Sequence, residues 1–268
     1  MNAGSALLSQ SRYNLLASLR TGSSVAVGIV LPVALYLGMS LLFGSESLGG
    51  DNPVPVRGAG DAPDLRTFLV GGFMAYAALY SGFVALTPEL VEIRERGLLK
   101  RLRGTPMPLS IFVAARLTIA LLITALAVAA IGLLGWAVFG ITPQASVIVP
   151  LVVYTVVGTV TFTFLGFALA TLVRSSATAQ GVTNAVALVL AMISGVFFST
   201  EALPEAVTTA AQVLPLEPLA NALQALYVPG AEDVGLDPRN LGVLAAWALV
   251  AVAVVALRGF HWQPRLAR

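Results

Sequence analysis

Long apolar runs recur along this chain, and no other sequence feature constrains its fold as strongly. Each run approaches or exceeds the ~20 residues with which a helix crosses a hydrocarbon layer of about 30 Å. A backbone inside hydrocarbon has no water to bond with, so each run is predicted to be an α-helix. The sequence therefore predicts an all-α, polytopic membrane protein with a single domain over residues 1–268. The six predicted transmembrane spans are residues 24–43, 68–86, 111–139, 145–173, 177–198 and 241–257.

The positions of the basic residues predict the direction of the spans. Charged residues make up only 10% of the chain, against about a quarter in an average soluble domain. With a cytoplasmic amino terminus, twelve of the 15 Lys and Arg residues lie inside, and only Arg57, Arg66 and Arg239 lie outside. Short cytoplasmic loops of membrane proteins carry this excess of basic residues. We therefore predict that both termini are cytoplasmic.

Residues 1–22 are predicted to form an amphipathic helix at the membrane surface. Leucines recur there at helical spacing on one face, while Arg12 and Arg20 can reach lipid headgroups or a partner protein. The alternative for this segment is an unstructured cytoplasmic tail.

Residues 201–237, before the last span, are half apolar and predict a short external helical hairpin. A seventh span there would move the carboxyl-terminal arginines outside, against the charge rule. Pro215 and Pro218 also interrupt the segment, and Glu217 adds a charge. Two short helices that lie at the outer interface or dip into it fit better than a span. The alternative is an ordinary external loop.

The densest cluster of charge lies between spans two and three, at residues 87–108. Thr87 and Pro88 are typical of a helix start, with a hydroxyl cap followed by proline. Glu92 and Arg96 are four residues apart and can pair across one turn. Basic residues alone would suit anionic lipid, but mixed charge beside leucines favours a protein docking surface. The alternative is that these charges only solvate the loop and fix its topology.

Several chemical functions are excluded by what the sequence lacks. No GxxxxGK[ST] phosphate loop occurs, and Lys100 is the only lysine. The chain is therefore not expected to bind a nucleotide in the usual way. His261 is the only histidine and there is no cysteine, which excludes a histidine or thiolate metal site within the membrane. The span interiors carry no acids, which counts against an ion-coupled carrier.

Two spans carry the residues from which a substrate pathway could be built. In span two, Phe73, Tyr76 and Tyr80 recur every three or four residues and so share a helical face. In span five, Asn184 needs a polar partner in hydrocarbon, and Met192 lies two turns further on. The alternative for the aromatic stripe is ordinary helix packing.

The charged loop carries the clearest family likeness. Its residues run Glu89, Glu92-Ile93-Arg94-Glu95-Arg96-Gly97-Leu98-Leu99-Lys100-Arg101-Leu102 and Thr105-Pro106. This string resembles the cytoplasmic loop of type-2 ABC transporter permeases, which include bacterial exporters of drugs, lipids and polysaccharides. The segments Leu203-Pro204-Glu205 and Leu214-Pro215-Leu216 are similar to the external segment before that family's last span. The resemblance extends over essentially the whole chain.

The resemblance implies a coupling helix in the charged loop that docks on a separate ATPase subunit. It also implies that Arg12 and Arg20 run beside that helix, and that spans two and five face each other across a dimer axis. The implied pathway residues are then Phe73, Tyr76, Tyr80, Asn184 and Met192. The implied docking residues are Glu89, Glu92, Arg94, Glu95, Arg96 and Gly97.

We therefore expect the membrane subunit of an ATP-driven exporter in the bacterial inner membrane, acting on an amphipathic or lipophilic substrate. The expected partners are two cytoplasmic ABC ATPase subunits, a second identical or similar permease subunit and membrane lipids, but no nucleic acid. This chain is expected to be neither an enzyme nor the holder of a cofactor, since ATP and Mg²⁺ would bind to the ATPase. The alternatives are an ion-coupled carrier or scramblase without an ATPase, and a non-transporting assembly subunit.

Overall fold

The computed structural model describes residues 23–43, 65–97, 109–143, 147–197, 205–227 and 235–258, and the regular structure in these ranges is entirely helical. In chain order the elements are α1 Ser23–Phe43, α2 Leu65–Leu79, a π-helical turn Tyr80–Ala85, α3 Leu86–Glu95, α4 Leu109–Phe139, α5 Ile148–Leu172, α6 Ser176–Ile193, α7 Glu205–Ala211, α8 Leu216–Ala225 and α9 Pro238–Arg258.

Five helical stretches in this part of the chain are long and apolar enough to cross a membrane. They are Leu65–Glu95, Ser110–Phe139, Ile148–Leu172, Ser176–Ile193 and Pro238–Arg258. The first apolar run forms α1, of which Val27–Phe43 is a shorter apolar helix. The predicted all-α, multi-pass membrane class is therefore confirmed, whereas the full six-span layout and the direction of the spans stay predictions. The predicted surface helix, with Arg12 and Arg20, lies outside the described residues.

The helix Leu65–Glu95 is the centre of the bundle. Eleven of the 15 residues of α2 are buried, and Phe73, Met74 and Leu79 are at most 1% exposed. A helix that is apolar all round is stable only when neighbours cover every side, and here α1, α4, α5 and α8 do so. A movement of this helix therefore changes its packing against most of the other helices in the bundle.

The prediction that a new helix begins at Thr87 is wrong. The π-helical turn Tyr80–Ala85 leads directly into α3 without a break in helical backbone. Thr87 Oγ1 donates a hydrogen bond to the Phe83 carbonyl oxygen at 2.6 Å, one turn back in the same helix. Pro88 offers no backbone donor, and the wider turn that precedes it accommodates that missing hydrogen bond. The Thr-Pro pair is therefore a mid-helix feature that resembles a cap.

Two hydrophobic clusters hold the bundle together. The larger one runs through the middle of the bundle and includes eight buried residues of α2 and five of α8. The smaller one gathers α3, α4, α5 and α6 at the other end of the long central helix. We call that end the charged end, because the charges of α3 lie there. The members of the small cluster are Leu86, Leu90, Val91, Phe112, Phe167, Ala170 and Ala179.

At the opposite end, close backbone contact joins α8 to the start of α2. A Cβ atom on Gly71 would lie 2.3 Å from the Gln224 backbone nitrogen, so no larger residue fits there. Gln224 Nε2 donates to the Gly195 carbonyl oxygen at 2.8 Å, which ties the end of α6 to the same site. Helices α7 and α8 fall within the predicted external hairpin. Helix α8 is buried in the bundle and does not lie flat on its surface.

Candidate functional site

The charged residues of α3 were predicted to dock a partner, and three of them contact other helices of the same chain. The contacts reach α4, α5 and α6, each at the end that lies beside α3. The small apolar cluster packs the same four helices together directly beneath these charges. The charged end is therefore a connected block, and the docking role of its residues stays a prediction.

Glu89 pairs with Arg116 of α4. The Glu89 carboxylate accepts a charge-assisted hydrogen bond from Arg116 Nη1. Arg116 is buried, and its guanidinium carbon lies 5.5 Å from the centre of the Phe112 ring. A buried guanidinium needs such partners because desolvation of a lone charge is costly. This pair fixes the start of α4 against α3.

Arg94 is turned into the bundle. Its side chain is among the buried groups of the charged end, and its guanidinium donates to the carbonyl oxygens of Ala170 at 2.7 Å, Val173 at 2.5 Å and Arg174 at 3.2 Å. These carbonyls belong to the last turn of α5 and to the residues just after it, where a helix lacks internal partners. A cation there also complements the partial negative charge of the helix end. Arg94 thus caps α5 from outside.

Glu95 caps the amino-terminal end of α6, the helix that follows α5. Its carboxylate accepts a hydrogen bond from Ser176 Oγ at 2.7 Å and one from the Ser176 backbone N–H at 3.2 Å. Ser176 is the first residue of α6, where the backbone donors lack internal partners. The side chain of Ser175 accepts from the Thr178 backbone N–H and supplies a second cap.

Glu92 and Arg96 form an exposed ion pair at the end of α3. They pair across one turn of the helix, as their spacing predicts, and their side chains are 46% and 68% exposed. An exposed pair of this kind contributes only ~0.3–0.5 kcal/mol, so the two charges can be recruited by a partner at little cost. Gly97 follows the helix with a positive φ of 65°, and a Cβ atom built on it would meet no described residue within 4 Å. The rest of the predicted loop, residues 98–108, lies outside the described residues.

The predicted pathway residues divide into two groups. Tyr76, Tyr80 and Asn184 line one cavity of about 320 Å³ between α1, α2, the π-helical turn and α6. Phe73 is fully buried behind it, where its ring packs against Tyr36, Tyr76 and Phe197. Met192 is 48% exposed on α6 and is not among the residues that line the cavity. The structure thus brings three of the five together.

Gln180 is a cavity residue that sequence reasoning missed. Its Nε2 atom donates to Asn184 Oδ1 at 3.1 Å along the exposed face of α6. The four-residue spacing of two amide side chains in an apolar run was the signal that could have revealed it. Within the described ranges, no three acidic or histidine side chains gather as a metal site would require.

Comparison with known proteins gives a family for this helical bundle. Residues 7–228 match the family model described as ABC-2 type transporter. A search of curated proteins finds no match for the chain. The family match covers the stretch from before α1 to just after α8, including the whole charged end, and it confirms the resemblance to type-2 ABC permeases. Because the match spans most of an all-helical membrane chain, this protein belongs to the ABC-2 type transporter family and is a permease subunit of an ABC transporter.

Proposed function

We propose that this permease subunit serves an ATP-driven exporter and docks its ATPase through an exposed surface at the end of α3, formed by Glu92 and by Arg96 and Gly97 just after the helix. Membership of the family implies an ABC ATPase partner. The observation that carries the proposal is the division of charge on α3. Among the residues that the structure describes, Glu89, Arg94 and Glu95 contact other helices of the permease, whereas Glu92 and Arg96 pair with each other on the exposed face.

The action of the ATPase on this permease also has a physical basis in this proposal. The charged end is cytoplasmic by the count of basic residues, so a cytoplasmic ATPase reaches α3 without crossing lipid. ATP and Mg²⁺ bind to two such ATPase subunits, and their closure pushes on α3. Because α3 continues into α2 through helical backbone, the push enters the centre of the bundle. This cycle is a shift between two conformational states and requires no chemistry in this chain.

The substrate route in this proposal includes the cavity that Tyr76, Tyr80, Gln180 and Asn184 line. Its wall combines phenol and amide groups with apolar side chains, which suits an amphipathic or lipophilic cargo such as a drug, a lipid or a polyketide-like molecule. The apolar face of α6 beside it is exposed in the single chain. A second permease subunit, identical or similar, covers that face and closes the route.

Recovery of the ATPase subunit by affinity-tagged permease tests the docking surface. We expect Glu92→Arg to weaken ATPase binding by about tenfold or more, because it places like charges together at the interface. Arg239→Glu is the matched control, since it reverses an exposed charge at the opposite end of the bundle. Equal recovery by wild-type protein and Glu92→Arg would overturn the proposed docking surface.

A further inference from the structure

Two consecutive residues of α3 hold the two sides of the α5–α6 junction. The junction is short, since α5 ends at Leu172 and α6 begins at Ser176. Arg94 donates to carbonyls on the α5 side, and Glu95 accepts from Ser176 on the α6 side. We call these paired contacts the Arg94–Glu95 clamp.

The signs of the two charges match the helix ends that they meet. The carboxyl-terminal end of a helix carries partial negative charge and the amino-terminal end partial positive charge. Arg94 lies at the former and Glu95 at the latter, so each contact is charge-assisted as well as hydrogen-bonded. With the two residues exchanged, each charge would face a helix end of its own sign.

The clamp rests on a dry, packed base. Leu90 and Val91 of α3 are at most 1% exposed and belong to one cluster with Ala170 of α5 and Ala179 of α6. The Arg94 contacts, which are buried or partly buried beside this cluster, are poorly screened by water, whereas the Glu95 contacts are exposed. Close-packed groups also transmit displacement and do not absorb it. The α5–α6 junction therefore follows α3 when α3 moves.

We propose that Arg94 and Glu95 are positioning residues that carry the movement of α3 to α6, and through α6 to the Gln180 and Asn184 wall of the cavity. This inference rests on the proposed function and assigns the two residues to force transmission within the permease, not to the ATPase interface. Helix α6 is continuous from Ser176 to Ile193. At ~1.5 Å per residue, Asn184 lies only about 12 Å along α6 from the clamp.

With the clamp in place, docking of the ATPase moves the substrate route through two separate connections. The first runs through the helical backbone of the π-helical turn into Tyr80 and Tyr76. The second runs across the clamp into α6, whose amides face those tyrosines across the cavity. Both walls of the route are thus connected to the same ATP-driven movement of α3.

The test uses the full complex with its ATPase subunit in lipid vesicles and compares Arg94→Gln, Arg94→Lys and Glu95→Ala with wild-type protein. We expect Arg94→Gln and Glu95→Ala to retain at least half of the bound ATPase. With a fluorescent phospholipid analogue as the transported probe, we expect its transport per ATP hydrolysed to fall by about tenfold, a typical size for a coupling effect. Arg94→Lys keeps the charge, and its transport per ATP hydrolysed should lie between the values for wild-type protein and for Arg94→Gln. Arg174→Gln is the matched control, because it removes an exposed charge of the same junction whose side chain is outside the clamp.

A spectroscopic readout separates coupling from simple stability. The chain has no cysteine, so spin labels can be attached at Val189→Cys on α6 and Leu249→Cys on α9, both of which are exposed. ATP should change the distance between these labels in otherwise wild-type complex, and the change should be lost in Glu95→Ala. Because Glu95 is exposed, this variant remains informative even if Arg94→Gln does not fold.

The possible outcomes distinguish this inference from the proposed function. Wild-type transport per ATP in Glu95→Ala, or an unchanged ATP-dependent distance, would overturn the clamp. Loss of ATPase binding in Glu95→Ala to the extent expected for Glu92→Arg would also overturn it, since Glu95 would then belong to the docking surface. Failure of wild-type permease to recover any ATPase would overturn the proposed function itself, and with it the role of the clamp.

Discussion

The charged end and the opposite end of the bundle are joined by different kinds of contact. At the opposite end, Gly71 brings the backbones of α2 and α8 within direct touch, and any added atom would collide. At the charged end, long side chains reach across helix gaps to carbonyls, a serine and another charge. Backbone packing has one arrangement, whereas side-chain contacts can be remade after a small shift. We therefore regard the opposite end as the fixed part of the permease and the charged end as the part that moves.

The largest effect should follow from substitution at the opposite end. Gly71→Ala places a Cβ atom against the Gln224 backbone, so the helices must separate, and we expect the free energy of unfolding to fall by about 3 kcal/mol. The measurement is denaturation of purified permease in mixed micelles, followed by tryptophan fluorescence. Gly242→Ala in α9 is the control, because its added Cβ meets no described residue within 4 Å. Equal stability of the two variants would remove the distinction between the ends.

A smaller effect is expected at the charged end. Arg94→Met leaves the carbonyls at the end of α5 without their charged donor, and we expect a loss of ~2 kcal/mol in the free energy of unfolding. Arg96→Ala, in the exposed pair two residues away, should cost less than about 0.5 kcal/mol. The same denaturation measurement compares them. An Arg94→Met loss as large as that of Gly71→Ala would mean that the charged end is as rigid as the opposite end.

The smallest expected effect is that of salt concentration, and it compares the exposed charges of α3 with its buried arginine. Raising the salt concentration from about 0.1 M to about 1 M shortens the screening length from ~10 Å to ~3 Å. We expect ATPase binding through the exposed Glu92–Arg96 pair to weaken severalfold. The buried Arg94 contacts are screened less, so the free energy of unfolding should change little. Binding measured by fluorescence titration that does not respond to salt would contradict a docking surface built on exposed charge.

The sequence alone defined the helical framework well because hydrocarbon imposes a simple rule on the backbone. The predicted span 111–139 corresponds to α4 at Leu109–Phe139, and 145–173 to α5 at Ile148–Leu172. The helix start predicted at Thr87 failed for an instructive reason. A threonine before a proline satisfies a backbone group at a helix start and inside a widened turn alike. Only the tertiary setting, in which Thr87 Oγ1 also lies 3.4 Å from the Gly166 carbonyl oxygen of α5, distinguishes the two.

The contacts of the candidate site could not be read from the sequence. The Glu92–Arg96 pair was predicted because its partners are one helical turn apart. Arg94 and Ala170 are 76 positions apart, and Glu89 and Arg116 are 27 apart. No periodicity in the sequence links residues at such distances. Composition showed that α3 carries unusual charge, but only the packing of α4, α5 and α6 against it shows which charges face inward.

The π-helical turn has a geometric consequence for the whole long helix. Such a turn accommodates one residue more than α-helical geometry allows, and one residue corresponds to a rotation of roughly 100°. The row of side chains with which α3 packs against α5 and α6 is therefore rotated about the helix axis relative to the row with which α2 packs against α8. One continuous helix thereby presents its packing residues in two different directions. The end near the proposed ATPase surface and the end packed against α8 are oriented independently, without a break in the helix between them.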